Sequence, residues 1–302
     1  MEVLRAKIMG FCSGVRRAVE SAANALDEND GGVVYAFGPL IHNPVVLKKF
    51  FDRGLRVCSE DEIHRLKKTD TVLIRAHGVP PEIERKLLAA SGKVIDATCP
   101  LVKMSQKRAA EFASKNYNII FAGDKNHGEV IGIEGHAAES YRKNGFKANF
   151  LLVRDLADLK EIFAEKKLDF DRKTVLLSQT TFNIPIFEEI SAFLKEQVPD
   201  VTIVSSICNA THERQGSLEK LCAEVDGVLV IGGKTSANTS RLFESACKKC
   251  RHAALIECAG DIPEEFFSLG KVGITAGAST PDDVIDEVQE KLEKMFVCKN
   301  GI

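Results

Sequence analysis

Three cysteines recur in one local setting at widely separated points of the chain, and that recurrence constrains the fold more than any other feature. Each ends a β-like apolar run and opens a helix-like stretch. Cys12 follows AKIMGF and precedes SGVRRAVESAANAL, Cys99 follows KVIDAT and precedes PLVKMSQKRAAEFA, and Cys208 follows VTIVSSI and precedes NATHERQGSLEKL. No single local loop can hold all three. The chain is therefore expected to form three related α/β units around a common axis, with the thiols meeting at the centre. Pro100, directly after Cys99, suits a first helical position, and the partial positive charge of a helix N-terminus favours the thiolate that ligates metal. One buried cysteine at a strand end is usually core packing, but three in matching positions point to ligands. Converging thiolates suit an iron–sulfur cluster that keeps one iron open to a substrate. Zinc is the competing metal, although its familiar sites use closely paired ligands and these three are isolated.

The remainder of the chain repeats the same alternation. Short apolar runs such as GVVYAF, TVLIRA, YNIIFAG, TVLLSQ, GVLVIGG, AALIEC and KVGITAG are separated by amphipathic stretches such as VVLKKFFDRG, PPEIERKLLAAS, FEEISAFLKEQV, TSRLFESACKKC and PDDVIDEVQEKLEKMF. This is the signature of parallel α/β structure. The expected fold is α/β, with three pseudo-threefold-related units of mostly parallel sheet. They span residues 13–97, 98–195 and 196–302, and residues 1–12 contribute a central strand and a ligand. Each unit offers a cysteine loop and two further polar loops at strand ends. These are FGPLIHNP and RAHGVPP, then AGDKNHGEV and SQTTFN, then GGKTSANTS and TAGASTP. Ligands of open α/β sheets bind outside the carboxyl ends of the strands, so these loops would line a polar pocket over the thiols.

Composition removes several classes of function. A formal net charge of −2 gives no basic surface for a polyanion, and the absence of tryptophan argues against a base-stacking platform; no nucleic-acid partner is expected. Nine cysteines in 302 residues are odd in number and too sparse for a disulfide scaffold. Cys247 and Cys250 form a C-x-x-C inside a helical stretch and read as incidental, as do Cys58, Cys222, Cys258 and Cys298. With no leader pattern and no apolar run of bilayer-spanning length, the chain reads as soluble and cytoplasmic, without a membrane partner.

The stretches GFCSGVRRAVE, YAFGPLIHNP, IRAHGVPP, DATCPLV, GDKNHGEV, SQTTF, CNATHERQ, GGKTSANTSRL and TAGASTPD occur in order over nearly the whole chain. In this the sequence resembles the 4-hydroxy-3-methylbut-2-enyl diphosphate reductases, the LytB family of the methylerythritol phosphate route to isoprenoids. The resemblance implies three α/β units around a [4Fe–4S] cluster, with Cys12, Cys99 and Cys208 as its three protein ligands. It implies an allylic diphosphate substrate bound by His42, His77, His127, Ser236, Asn238 and Ser279. Glu129 matches the residue that handles the proton, with His127 assisting, and Thr180 the threonine near the substrate hydroxyl. A ferredoxin or flavodoxin is the electron donor the family implies.

Two positions depart from the family pattern. Gly128 stands where proline is common and is expected to loosen the placement of Glu129. Ala237 stands where many members carry a second serine, which removes one hydroxyl donor. The chain has no G-x-x-x-x-G-K-[ST] phosphate loop, so neutral donors and histidines are expected to hold the diphosphate. Thr280 with Asp283 fits a helix-capping pattern before PDDVIDEV, and Lys234 reads as solvated. Two other classes would use parts of the same residue set: a non-catalytic iron–sulfur redox sensor, or a zinc-dependent phospholigand hydrolase built on the histidines and Glu129.

Overall fold

The alternating pattern folds as three four-stranded sheets in which every strand pair is parallel. The structure is a computed structural model describing residues 2–300, with side chains described through Met295. The Cys298 side chain lies outside the described residues.

The chain enters through strand β1 (Glu2–Arg5) and helix α1 (Ser13–Asp27). The first sheet follows, with β2 (Val34–Phe37), α2 (Pro44–Asp52), β3 (Arg56–Cys58), β4 (Thr71–Ile74), α3 (Pro81–Ala90) and β5 (Lys93–Asp96). Next come α4 (Pro100–Ser114), β6 (Asn118–Ala122), α5 (Gly128–Lys143), β7 (Phe150–Val153), α6 (Leu156–Ala164), β8 (Thr174–Ser178), α7 (Ile184–Gln197) and β9 (Thr202–Ile203). The last stretch holds α8 (Asn209–Cys222), β10 (Gly227–Ile231), α9 (Ala237–Lys249), β11 (His252–Ile256), β12 (Lys271–Ala276) and α10 (Asp282–Asn300).

The three sheets share one internal order. Read from one edge they run β3-β2-β4-β5, β7-β6-β8-β9 and β11-β10-β12-β1. The third sheet thus takes its fourth strand from the opposite end of the chain. β1 lies at the edge of that sheet, paired only with β12, and is not a central strand. Its sequence explains this: Glu2 and Arg5 are exposed at both ends of a four-residue strand, and charged, short strands suit an edge. The strand before Cys208, which the sequence reading puts at the start of the third unit, pairs with β8 and closes the second sheet.

The inner strands are buried from end to end. β6 (NIIFA), β8 (TVLLS) and β10 (GVLVI) have no exposed residue, as parallel sheets covered by helices on both faces require. Successive side chains feed opposite layers. In the second sheet Ile120, Ala122 and Leu176 pack with Leu159, Ile190 and Leu194 on one face. Ile119, Phe121, Val175 and Leu177 pack with Ile133 and Tyr141 on the other. Leu229 and Ile231 likewise join one layer of the third sheet, and Val228 and Val230 the other. Each such fully buried aliphatic side chain contributes about 1.5–3 kcal/mol.

By contacts the chain forms two compact units. One comprises the residues up to Ala23, Pro39–Leu55 and everything from Asn209 onward, and contains the third sheet. The other comprises Asn24–Gly38 and Arg56–Cys208, and contains the first two sheets. Helix α2 follows β2 in the chain but belongs to the unit of the third sheet, where Val45 joins the layer of Val284 and Ile285 and Lys49 pairs with Asp283. Among the described residues, no helix is long and apolar enough to cross a membrane.

Candidate active site

The three cysteines that open the sequence argument sit in identically built loops. Each stands immediately before a helix, and each backbone N–H donates to a carbonyl two residues beyond the end of the neighbouring strand. Cys12 donates to Ala278 at 3.2 Å, Cys99 to Ala76 at 3.0 Å and Cys208 to Thr180 at 2.8 Å. None of the three is in a disulfide, and all are half-buried. The Cys12 sulfur accepts the Val15 N–H in the first turn of α1 at 3.4 Å. Cys99 is the N-cap residue of α4, followed by Pro100 at N1. Below it Asp96 accepts the Thr98 N–H at 2.9 Å and pairs with Lys103. Burial alone would raise the Asp96 pKa, but Lys103 and Thr98 outweigh it and hold the carboxyl below its ordinary value.

In the unit of the first two sheets, the loop before α5 and the loop after β8 meet at Glu129, which is 1% exposed. Thr180 donates to it through its backbone N–H and through its hydroxyl. Asn126 takes a left-handed conformation (φ 65°), which asparagine tolerates, and turns the chain into the helix. His127 is the N-cap of α5: its Nδ1 accepts the Glu129 N–H at 3.2 Å. An accepting ring nitrogen carries no proton, so neutral His127 keeps its proton on Nε2 as a donor. The His77 ring stands edge-on to it, with centroids 4.9 Å apart. Gln179, which the sequence reading left without a role, is fully buried. It accepts the Asp124 N–H and donates to the Thr181 hydroxyl, both at 2.9 Å, and so ties the two loops together. Glu129 is therefore held firmly despite Gly128 beside it.

In the other unit, His42 lies against the loops that follow β10 and β12. Its Nδ1 is 3.4 Å from the Thr235 hydroxyl, and its carbonyl accepts the Ser279 hydroxyl at 3.2 Å. The fit is close: a Cβ at Gly233 would lie 2.2 Å from the His42 carbonyl oxygen. Asn43 caps α2 by accepting the Val46 N–H, and Ser236 caps α9 by accepting the Thr239 N–H at 3.4 Å. Asn238 is buried with an Nδ2 that has no partner among the described residues. Thr280 does not cap α10 with its hydroxyl, which donates to the Ile231 carbonyl instead. Lys234 is exposed, as expected.

Two arginines escaped the sequence reading. Arg214, in the motif CNATHERQ, is buried and donates to the carbonyls of Gly10 (2.6 Å) and Ala210 (2.8 Å), which braces the Cys12 loop against α8. Arg75 opens the motif RAHGVPP and lies beside Gly38 and Gly128. Its Nε is shielded from solvent and has no hydrogen-bond partner among the described residues, and burial lowers the pKa of its guanidinium. Motif position was the available signal for both, but the partners are set by tertiary structure.

A family model described as LytB protein matches residues 3–293. The chain is 43% identical over 299 residues to a 4-hydroxy-3-methylbut-2-enyl diphosphate reductase of Treponema denticola, covering 97% of this chain and 99% of the relative. It is 37% identical over 303 residues to the enzyme of that name from Aquifex aeolicus, covering 100% and 99%. Among solved structures it resembles (E)-4-hydroxy-3-methyl-but-2-enyl diphosphate reductase, the terminal enzyme of the non-mevalonate pathway, with a TM-score of 0.70, 36% identity and coverage of 97% and 100%. It also resembles the E-1-hydroxy-2-methyl-but-2-enyl-4-diphosphate reductase of Plasmodium falciparum, with a TM-score of 0.83, 27% identity and coverage of 97% and 87%.

Proposed function

The chain belongs to the LytB family, and from that membership we propose that it is a 4-hydroxy-3-methylbut-2-enyl diphosphate reductase. The reaction removes the allylic hydroxyl reductively: two electrons and two protons enter, the C–O bond breaks, and isopentenyl or dimethylallyl diphosphate leaves together with one water. The observation that carries this reading is similarity to reductases of that name over the whole chain.

Iron–sulfur chemistry goes with the family, and the finer assignment is a [4Fe–4S] cluster on Cys12, Cys99 and Cys208. The donor set fits: three half-buried cysteines, none in a disulfide, stand at helix starts. When bound, the cluster supplies electrons and an iron able to act as a Lewis acid. A ferredoxin or flavodoxin is the proposed reductant.

Hydroxide leaves poorly, so the oxygen must depart as water and needs a proton at the moment of C–O cleavage. Glu129 is the proposed store of that proton. Protonated, it would donate to the Thr180 oxygen 2.7 Å away, while the Thr180 proton passes to the departing hydroxyl. Burial of the pair keeps bulk water from short-circuiting the transfer. His127 assists as an Nε2 donor, and general acid catalysis of this kind contributes about 10²–10⁴-fold.

The diphosphate is assigned to His42, His77, His127, Ser236, Asn238 and Ser279. Support comes from the unpartnered Asn238 Nδ2, a donor otherwise buried at a cost. Turnover of the allylic diphosphate by anaerobically purified protein with reduced methyl viologen tests the reading. A brown protein that turns over sustains it; a colourless zinc protein, or a cluster without turnover, discards it.

A further inference from the structure

Arg75 presents a charge that the reaction as described leaves unused. It is the first residue beyond β4, and its guanidinium lies between the loop that leaves β2 and the start of α5. Both are carboxyl-end segments of the kind where α/β sheets bind ligands; His77 follows Arg75 in its own loop, and His127 and Glu129 flank Gly128 at the start of α5. Two glycines make the room. A Cβ at Gly38 would lie 3.1 Å from Nη1, and one at Gly128 only 2.2 Å from Nη2. Gly38 adopts φ +71°, a conformation side-chain-bearing residues avoid. The space left by the missing Cβ of Gly128 is thus the space this guanidinium enters.

The electrostatics of that space are one-sided. Among the described residues no carboxylate pairs with Arg75 and no acceptor takes its Nε–H. The nearest large dipole is α5, whose N-terminus is its positive end. Arg75 is half-buried with its Nε shielded, and a cation set against a positive helix end is stabilised when an anion joins them. Guanidinium and helix N–H groups together match phosphate oxygens, bidentately in the case of arginine.

We infer that Arg75 binds the substrate's diphosphate directly and sets a preference for diphosphate over monophosphate, with Gly128 as the residue that admits it. This rests on the reductase reading for the identity of the anion. Arg75 would add a formal positive charge to a set otherwise made of neutral donors and histidines. That charge is more valuable against a diphosphate than against a less charged monophosphate.

The test is calorimetric titration of the full-length, anaerobically reconstituted protein with inorganic diphosphate and with orthophosphate, together with steady-state kinetics on the allylic diphosphate. R75Q should weaken diphosphate binding at least about tenfold and orthophosphate binding less, with a rise in KM and little change in kcat. R75K, which keeps the charge, should recover part of the affinity and controls for misfolding. G128A, which displaces the guanidinium, should weaken binding in the wild-type background and have no further effect on top of R75Q. Equal diphosphate affinity in wild type and R75Q, or additive losses in the double variant, would overturn the inference. If wild type turns over and R75Q keeps its KM, Arg75 is discarded while the reductase reading stands. If wild type binds diphosphate through Arg75 yet never reduces the substrate, the reductase reading falls instead.

Discussion

Thr180 donates twice to Glu129, its N–H to Oε1 and its hydroxyl to Oε2, each at 2.7 Å. The arrangement fixes the carboxylate's plane and leaves one oxygen joined to a group that can both give and take a proton. A backbone donor cannot relay; a hydroxyl can. The two bonds therefore divide into one that positions and one whose oxygen is able to relay a proton.

Glu129→Gln keeps the shape and removes the exchangeable proton. Its turnover should drop by about 10²–10⁴-fold, with cluster absorption and diphosphate affinity within a few-fold of wild type. Thr180→Val retains the N–H bond but loses the relay oxygen and should lose rate in the same way. A wild-type rate in either variant, measured anaerobically, would remove that residue from the proton path.

Because the three cysteine loops are built alike, their ligand roles should fail alike. Cys12→Ser, Cys99→Ser and Cys208→Ser should each lose the visible iron–sulfur absorption and turnover together. A variant that keeps both after reconstitution would show that its sulfur is not a ligand.

Much of this organisation was legible in the sequence, for identifiable reasons. Strands buried on both faces must be almost continuously apolar, so β6, β8 and β10 stood out, and a cysteine between such a run and an amphipathic stretch marks a strand-to-helix junction. β3 was not legible, because two of its three residues are exposed; four-residue β7 after a polar stretch was equally weak. The edge position of β1 and the membership of β9 depend on which strand each meets, and periodicity says nothing of partners. Arg75 shows the same limit: its surroundings are made by glycines distant in the chain, at positions 38 and 128. The loosening expected at Gly128 is offset by Thr180 and Gln179, which lie some fifty residues further on.

Asn238→Ala separates binding from stability. The Asn238 Nδ2 makes no hydrogen bond among the described residues, so its removal should leave Tm unchanged or slightly raised. If the amide holds a phosphate oxygen, KM should rise about tenfold with kcat preserved. A fall in Tm without a change in KM would make it a structural residue.

Asp96 supplies a pH test. Its folded pKa lies below the ordinary value, so its stabilisation is fully present above the unfolded pKa of about 3.9 and is lost as pH falls through the lower, folded value. Asp96→Asn should cost on the order of 1 kcal/mol near neutrality after allowance for solvent screening. The difference from wild type should close in strongly acidic solution. Equal denaturation midpoints at pH 7 would show that the Lys103 pair contributes nothing.

Pairing β1 with β12 joins two strands separated by most of the sequence. The Cys12 amide is anchored on Ala278, so this loop sets only once a segment far along the chain has folded beside it. Cys99 and Cys208, whose anchors precede them in the chain, have no such delay. Destabilising the third sheet should therefore loosen the Cys12 loop before the other two.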